Sequence, residues 1–212
     1  LVPVVKGFST EMSLEVTSLG VQVHGGMGFI EETGAAQHYR DSRILPIYEG
    51  TTAIQANDFI GRKVLRDAGA VIQGLPPELG ATVAKLRERA AQDGEHKAAL
   101  TLIADRLEAG VKSVEQAATF TLMNAQKDLA AVFLGSVPFL MLSGYVLTGW
   151  QMARAALAAE KALSEGNQDP FLRRKLSTSV FFASHLLPRA TALAHSVADG
   201  AQLTSYLSPE LL

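Results

Sequence analysis

Apolar side chains, mostly alanine and leucine, recur at intervals of three and four residues along almost the whole chain. These intervals place side chains on one face of an α-helix, whereas the alternation of apolar and polar residues that is typical of strands is nearly absent. We therefore predict an all-α protein. Its stability must come from packing, because the chain has no cysteine for disulfides, zinc-thiolate sites or thiol catalysis. The 48% apolar fraction can supply that packing.

Two segments rich in glycine or proline interrupt the helical pattern. The first, residues 24–52, contains a cluster of helix-breaking residues: Gly25, Gly26, Gly28, Gly34, Pro46 and Gly50. The second is GLPPELG at 74–80, whose two prolines suit the start of a new helix. We interpret it as the linker between a helical module of residues 1–74 and a second helical bundle of residues 75–212.

In the first module, helices are predicted on both sides of the glycine-rich segment. The preceding helix carries one apolar stripe, formed by Val5, Phe8, Met12, Val16 and Leu19. The following helix is capped by Thr51 and extends to about Ala68.

In the second module, the pattern predicts four helices, near 78–92, 95–124, 128–165 and 170–198. Asp169 and Pro170 suit the start of the last helix, and Gly200 suits its end. Pro138 and Pro188 fall inside predicted helices, where each removes a backbone hydrogen bond and should bend the axis.

Residues 129–150 contain no charged side chain and are long enough to cross a bilayer. Small and polar residues within the segment argue against a span, as does the lack of an aromatic or Lys/Arg bias at its ends. A helix at the centre of a bundle is also apolar on all sides. We expect this buried spine and no membrane span, with a membrane-embedded protein as the alternative.

The charge balance of 19 Lys and Arg against 21 Asp and Glu gives a net charge of −2. This balance argues against the basic surface of a nucleic-acid-binding protein.

The chain begins with Leu1, followed by Pro3 and Lys6, and lacks the pattern of a signal peptide. We expect a cytoplasmic protein, and a chain that is a piece of a longer one.

The residues that suggest chemistry lie in QVHGGMGFIEE, 22–32, and YRDSRILPIYEGTTAIQ, 39–55. Three glycines in four positions let backbone N–H groups approach an anion closely. The same glycines would also form an ordinary turn between two helices. Both interpretations remain open on the glycines alone.

Glu49 follows apolar Ile47 and Tyr48 and precedes a helix that Thr51 can cap. Apolar surroundings and a helix N-terminus act on a carboxyl group in opposite directions, and together they can tune it as a general base. The alternative is an ordinary loop glutamate. Thr51 and Thr52 can serve as caps, and the free N–H groups there can equally bind a phosphate or a flavin edge.

QVHGGMGF followed by YRDSRILPIYEGTTAIQ resembles the C-terminal signature of the flavin-dependent acyl-CoA dehydrogenases. The signature runs from Gln22 to Gln55 and requires the glycine-rich turn, YRD and YEGTT in that order. GFIEETGAAQ is most similar to the branch that includes 3-(methylthio)propionyl-CoA dehydrogenases, and residues 75–212 resemble the extra helical domain of that branch. The resemblance implies a C-terminal part of such an enzyme, without its N-terminal helical domain and middle β-barrel.

The resemblance also implies a role for each matching residue. Glu49 matches the catalytic base, which removes the α-proton of an acyl-CoA thioester while the β-hydride passes to FAD, and Gly50 matches the residue against the thioester. Contacts with FAD are implied for two sets: Gln22, Val23, His24, Gly25 and Gly26, which reach FAD across a subunit interface, and Thr51, Thr52, Ala53 and Gln55, near the base. The implied partners are an acyl-CoA substrate, an electron-transfer flavoprotein and further copies of the chain in a dimer or tetramer.

Other polar residues are expected to have structural roles. His24 could touch a cofactor, but a packing or capping role is favoured. Asp41 is expected to pair with an arginine, Arg40 or Arg43, and to fix the loop that presents Glu49. The histidines lack metal-ligand spacing, so no metal site is predicted. A non-enzymatic helical interaction module remains the alternative function, and it would not depend on Glu49.

Overall fold

The computed structural model describes residues 1–92 and 94–206, and every regular element in these ranges is helical. The all-α prediction is confirmed. The α-helices of these ranges are α1 (Val2–His24), α2 (Gly26–Phe29), α3 (Ala35–Ser42), α4 (Thr52–Asp58), α5 (Ala70–Ala91), α6 (Lys97–Asn124), α7 (Leu129–Leu134), α8 (Ser136–Ser164), α9 (Pro170–Phe181) and α10 (Arg189–Asp199). Two π-helical segments, Phe59–Leu65 and Phe182–Leu186, continue α4 and α9, and 3₁₀ turns cover Glu31–Thr33 and Gly200–Ser205.

Helix α8 is the central element of the fold, since it packs against α1, α4, α6, α9 and α10. Its large apolar side chains include four with no exposed surface: Phe139, Leu140, Leu142 and Val146. Residues 129–150 therefore lie mostly in the interior, as predicted, although Leu134 is half exposed and does not fill the core. Within the described ranges, no helix combines the length and the apolar character needed to cross a membrane.

The predicted linker at 74–80 is wrong as a break between helices, because these residues lie inside α5. The chain turns earlier, where the Asp67 carboxylate accepts hydrogen bonds from the backbone N–H groups of Gly69 and Val71, each at 3.1 Å. Helix α5 continues through the prolines because it buries Ile72 before them and Leu79 after them. Packing of an apolar face outweighs the backbone hydrogen bonds that two prolines remove. The division into modules 1–74 and 75–212 stays a prediction, and residues 207–212 lie outside the described ranges.

Both predicted helices that contain a proline are interrupted near it. The predicted helix 128–165 is broken at Gly135, between α7 and α8. Pro138, the third residue of α8, has no N–H to donate to the carbonyl of Leu134, the last residue of α7, so the break falls where this proline removes a hydrogen bond. Pro188 separates a π-helical segment from α10 and interrupts the predicted helix 170–198, as expected.

The predicted helix caps are confirmed. The Thr51 hydroxyl accepts a hydrogen bond from the Ile54 N–H at 3.4 Å, at the start of α4. The Asp169 carboxylate accepts one from the Phe171 N–H at 2.9 Å, at the start of α9. Gly200 directly follows α10.

Helix α1 packs through a different set of residues from the predicted stripe. Phe8 is buried and Met12 is half buried, but Val5, Val16 and Leu19 are exposed. Only the N-terminal half of α1 lies against α8, where the ring of Phe8 meets the edge of Tyr145 at a centroid distance of 4.9 Å. The stripe prediction is therefore wrong for three of its five residues, because the second half of α1 packs against α2 and α3 through other side chains, such as Thr17.

One hydrophobic core takes side chains from both predicted modules. Val4, Phe8 and Ile60 from the first module belong to the same buried cluster as Leu107 and Phe139 from the second. The rings of Phe59 and Phe139 meet edge to face with centroids 5.2 Å apart. The segment that carries Glu49 is thus fixed to the second bundle by direct packing.

Candidate active site

Glu49 lies on the irregular loop between α3 and α4. Its backbone is left-handed, with φ of 54°, and Gly50 follows with φ of 94°. A non-glycine residue with positive φ is uncommon and unfavourable, and such residues concentrate at functional sites. The loop therefore holds Glu49 in a conformation that the surrounding contacts must stabilise.

The Glu49 side chain is exposed, and its neighbours Ile47 and Tyr48 are each 47% exposed. The expectation of apolar surroundings for this carboxylate is therefore not met by the described residues. The reason is geometric, because the contacts of the loop with α1 use two backbone carbonyls and the Tyr48 ring, while the Glu49 side chain stays exposed. Any desolvation of Glu49 has to come from groups outside these residues.

Lys6 of α1 binds the two ends of this loop. Its ammonium group donates hydrogen bonds to the backbone carbonyl of Leu45 at 2.9 Å and to that of Gly50 at 2.7 Å. The same nitrogen lies 5.8 Å from the centre of the Tyr48 ring. A charged donor makes stronger hydrogen bonds than a neutral one. Lys6 is therefore a main attachment of the Glu49 loop to the core.

Gln55 holds the backbone of Glu49 itself. Its side-chain amide donates to the Glu49 carbonyl at 3.2 Å. A β-carbon on Gly50 would come within 2.8 Å of that amide nitrogen, so the absence of a side chain at Gly50 leaves room for this bond. Gln55, assigned to FAD by resemblance, is thus placed in this structure to order the loop.

Two more contacts join α1 to the segments around Glu49. The Thr52 hydroxyl donates a hydrogen bond to the Glu11 carboxylate. The hydroxyls of Thr17 and Ser42 lie 2.9 Å apart, within hydrogen-bond distance. Because the Thr52 side chain is engaged within the chain, any contact of Thr52 with a cofactor has to use its backbone or its outer face. Ala53 is exposed beside it.

The glycine-rich turn lies at the other end of α1. The helix ends at His24, and Gly25 has φ of 61°. A β-carbon built on Gly25 or on Gly26 would meet nothing within 4 Å, so the backbone there is open to an approaching group. Gln22 and Val23 are exposed beside the turn, Val23 at 85%.

His24 bonds within its own helix, with Nδ1 2.8 Å from the carbonyl oxygen of Gly20. This contact agrees with the favoured capping role, although the side chain is exposed.

The two sets of residues assigned to FAD are far apart in one chain. Gln55 lies beside Gly7, since a β-carbon placed on Gly7 would be 3.6 Å from the β-carbon of Gln55. From Gly7 to Gly25 the chain is a continuous helix, so the two ends are separated by about 27 Å at 1.5 Å per residue. One chain therefore does not bring the two predicted cofactor segments into a single site.

The expected pair of Asp41 with an arginine is wrong. Arg40 instead pairs with Glu31, through two hydrogen bonds of 2.5 and 2.9 Å. The hydrogen bond that the Arg40 guanidinium donates to Glu31 lowers the pKa of Glu31 and raises the pKa of Arg40. The reason is the orientation of the Arg40 side chain, which points from α3 towards the turn after α2. Arg40 therefore connects the glycine-rich segment to α3 and does not fix the Glu49 loop.

Lys6 and Glu11 were missed by sequence reasoning. Lys6 stands alone among apolar residues at the start of α1, and a single lysine in such a run is a signal that could have been followed. Glu11 offers no comparable signal, because its partner is 41 residues away.

Among the described residues, no group of three or more histidine, aspartate or glutamate side chains is arranged to hold a metal ion.

The chain matches two known protein families and several known proteins. A family model described as "Acyl-CoA dehydrogenase, C-terminal domain" matches residues 1–65, and one described as "Acetyl-CoA dehydrogenase C-terminal like" matches residues 77–207. The chain is 49% identical over 199 residues to the 3-methylmercaptopropionyl-CoA dehydrogenase of Ruegeria pomeroyi, covering 94% of this chain and 33% of that protein.

More distant relatives match over a similar range. The chain is 35% identical to the broad-specificity linear acyl-CoA dehydrogenase FadE5 of Mycobacterium tuberculosis, covering 91% of this chain and 32% of that protein. It is 27% identical to a butyryl-CoA dehydrogenase of Syntrophomonas wolfei, covering 88% of this chain and 30% of that protein. The chain thus spans about a third of the length of these relatives. With both family models and these relatives aligned along most of its length, the chain belongs to the acyl-CoA dehydrogenase family.

Proposed function

We propose that this chain acts as the C-terminal part of a longer FAD-dependent acyl-CoA dehydrogenase, in which Glu49 is the catalytic base. The observation that carries the proposal is the presentation of Glu49: an exposed carboxylate on a left-handed residue, in a loop bound at both ends to α1. An ordinary loop glutamate needs no such support. The relatives of the chain are named as dehydrogenases of acyl-CoA thioesters, which supports this class of substrate.

In the proposed reaction, Glu49 takes the α-proton of the acyl-CoA and the β-hydride leaves the substrate, so an α,β double bond forms. When bound, FAD supplies the acceptor for that hydride. An α-proton of a thioester is weakly acidic, and a carboxylate removes it more readily when water is excluded. Gly50, which has no side chain, lets the thioester lie close to the base. The electrons then pass to an external acceptor, which we propose to be an electron-transfer flavoprotein.

We further propose that each FAD site is completed by two copies of the chain. The separation of about 27 Å between the two predicted FAD segments of one chain supports this arrangement, because a neighbouring copy can supply the missing segment. The exposed apolar side chains beside the glycine-rich turn, Val23, Met27 and Phe29, support a contact with a further protein surface. The residues of the turn fit a cofactor, since nothing occupies the space above Gly25 and Gly26.

Glu49→Gln in the longer enzyme tests the base directly. The amide keeps the shape of the side chain but cannot accept the α-proton, so flavin reduction by acyl-CoA should slow by about 10²–10⁴-fold. FAD content should not change. The measurement is flavin absorbance during a single turnover, with Glu115→Gln, at an exposed position on α6, as the control. A reduction rate within a few-fold of the wild type would exclude Glu49 as the base and favour a non-enzymatic role for this segment.

Gly26→Val tests the proposed two-chain site. A β-carbon at 26 meets no atom of its own chain within 4 Å, so we expect the variant to fold normally while the added methyl groups block the approach of a ligand. We expect the longer enzyme to lose FAD and its oligomer contact, while the helical content of this chain stays the same. Flavin absorbance per subunit and sedimentation of the same sample measure both. Full flavin occupancy in an unchanged oligomer would show that the turn has no part in the site.

A further inference from the structure

We propose that Lys6 is a positioning residue for the base: its ammonium group clamps both ends of the loop 45–50 and thereby presents the Glu49 carboxylate to the substrate. The inference rests on the proposed role of Glu49 and adds a residue outside the signature segment that carries the resemblance.

The first support is the pair of acceptors. Leu45 and Gly50 bracket the loop, and their carbonyl oxygens are 2.9 and 2.7 Å from one nitrogen atom. Two backbone acceptors five residues apart are therefore drawn to a single cation. Such a contact fixes the span of the loop, which hydrogen bonds between adjacent residues do not.

The second support is the backbone that the clamp spans. Glu49 has φ of 54° and Gly50 has φ of 94°. Glu49 lies between the two clamped carbonyls, and Gly50 carries one of them. A left-handed glutamate persists only where its surroundings over-determine it. Within the loop, the amide of Gln55 holds the Glu49 carbonyl, but this contact does not reach the start of the loop at Leu45.

The third support is that the Lys6 ammonium forms no ion pair with the described residues. Among the described residues, its ammonium has no carboxylate within ion-pair distance; its other contact is the ring of Tyr48 at 5.8 Å. A half-buried lysine whose hydrogen bonds go to backbone carbonyls acts on conformation. The Tyr48 ring adds a third point of attachment, directly before Glu49.

Lys6→Met in the longer, FAD-loaded enzyme tests the proposal. The substitution keeps an unbranched side chain and removes the charged donor. We expect the rate of flavin reduction at saturating acyl-CoA to fall by about 10–100-fold, because a base displaced by a fraction of an ångström loses its near-attack geometry. Apparent substrate affinity, FAD content and melting temperature should stay within a few-fold or a few degrees of the wild type.

Two further variants separate positioning from a merely structural role. Lys6→Ala should slow flavin reduction by as much as Lys6→Met does. Added methylammonium can occupy the place of the lost ammonium group, so it should restore part of the rate in Lys6→Ala. Lys112→Met is the matched control, because Lys112 is exposed on α6 and its ammonium pairs with Glu108 at 3.8 Å, far from the Glu49 loop in the chain. This variant should reduce flavin at the wild-type rate.

A second measurement does not depend on activity. In this chain, the N–H groups of Ile47 and Tyr48 bond to the Ile44 carbonyl at 3.0 and 3.1 Å. Lys6→Met should speed their hydrogen exchange by about 10-fold, while exchange in α6 stays unchanged.

The outcomes are distinguishable. A Lys6→Met enzyme with a wild-type reduction rate overturns the positioning role, whether or not exchange in the loop is faster. A lower reduction rate that is explained by lost FAD or an unfolded fraction, with no rescue by methylammonium, also overturns it. A wild-type enzyme that shows no reduction by any acyl-CoA overturns the proposed function, and the role of Lys6 with it.

Discussion

At the scale of single residues, Arg189 joins the last helix of the fold to the first. Its guanidinium donates two hydrogen bonds to the Glu15 carboxylate, each 2.8 Å long, and one to the Tyr145 hydroxyl at 2.9 Å. The Tyr145 hydroxyl in turn lies 3.5 Å from the sulfur of Met12. Parallel double hydrogen bonds of this kind are the strongest form of an arginine–carboxylate pair.

We predict that Arg189→Gln lowers the free energy of unfolding by about 0.5–1 kcal/mol, as expected for a partly exposed but bidentate pair. The matched control is Arg40→Gln, since Arg40 makes the same double contact with Glu31 in a more exposed setting. The control should cost less than Arg189→Gln. Urea unfolding of the three chains measures both effects, and equal losses would show that Arg189 adds nothing beyond a surface pair.

The same pair predicts a dependence on pH. The hydrogen bonds from Arg189 lower the pKa of Glu15 below its ordinary value of 4.5. The stabilisation is therefore fully present above that ordinary value, and it is lost as the pH falls through the lower pKa of the folded state. Arg189→Gln should flatten this acid limb of the stability curve. The free energy of unfolding of the wild type and of Arg189→Gln, measured at neutral pH and below the ordinary pKa of Glu15, tests this prediction. An acid limb that is unchanged in Arg189→Gln would contradict it.

At the scale of helices, the contact between α1 and α8 depends on the lack of a side chain at one position. A β-carbon on Gly144 would overlap ring atoms of Phe8, so the two helices approach each other through this glycine. Because α1 also carries Lys6 and Glu11, this packing sets the position of the contacts that hold the Glu49 loop.

Gly144→Ala should therefore destabilise the chain by about 1–3 kcal/mol, the usual cost of overpacking a core. In a Phe8→Ala background, Gly144→Ala should cost less than it does alone, because the Cγ and ring atoms that it would overlap are gone. Gly74→Ala, in an exposed helical position with nothing within 4 Å of its β-carbon, is the control and should stabilise by about 0.5–1 kcal/mol. Denaturant midpoints of the wild type and of these variants measure the effects, and a neutral Gly144→Ala would contradict this account.

At the scale of the whole molecule, the two predicted modules share one core. Leu142, with no exposed surface, belongs to the same buried cluster as Val4 and Ile60 of the first module. Because the two regions share these buried contacts, we expect them to unfold together. The module boundary would then separate two sequence regions without separating two folding units.

We predict that Leu142→Asp unfolds residues 1–74 together with the second bundle, because it buries an unpaired charge at the cost of several kcal/mol. Leu129→Asp, at a half-exposed position, should leave the fold intact. Circular dichroism gives the helical content, and hydrogen exchange gives the protection of α1. Protection of α1 that survives in Leu142→Asp would show that the first module folds alone.

The candidate site was predictable from sequence as far as local motifs reach. The segment that carries Glu49, its glycine and its capping threonine were found because their partners lie within a few residues. The fixing of that segment was not predictable, since Lys6 is 39 and 44 residues from the carbonyls that it binds. The roles of Glu49 and of the predicted FAD contacts stay predictions.

The sequence by itself determined the helical class and the capped starts of helices, because these depend on side-chain periodicity and on hydrogen bonds between near neighbours. Only the tertiary structure decided that α5 runs through Pro76 and Pro77, that α1 buries Val4 but leaves Val16 exposed, and that Arg189 meets Glu15 across 174 residues. The physical reason is that local patterns set which helices form. Which face of a helix is buried, and which distant groups meet, depends on how all the helices pack against α8.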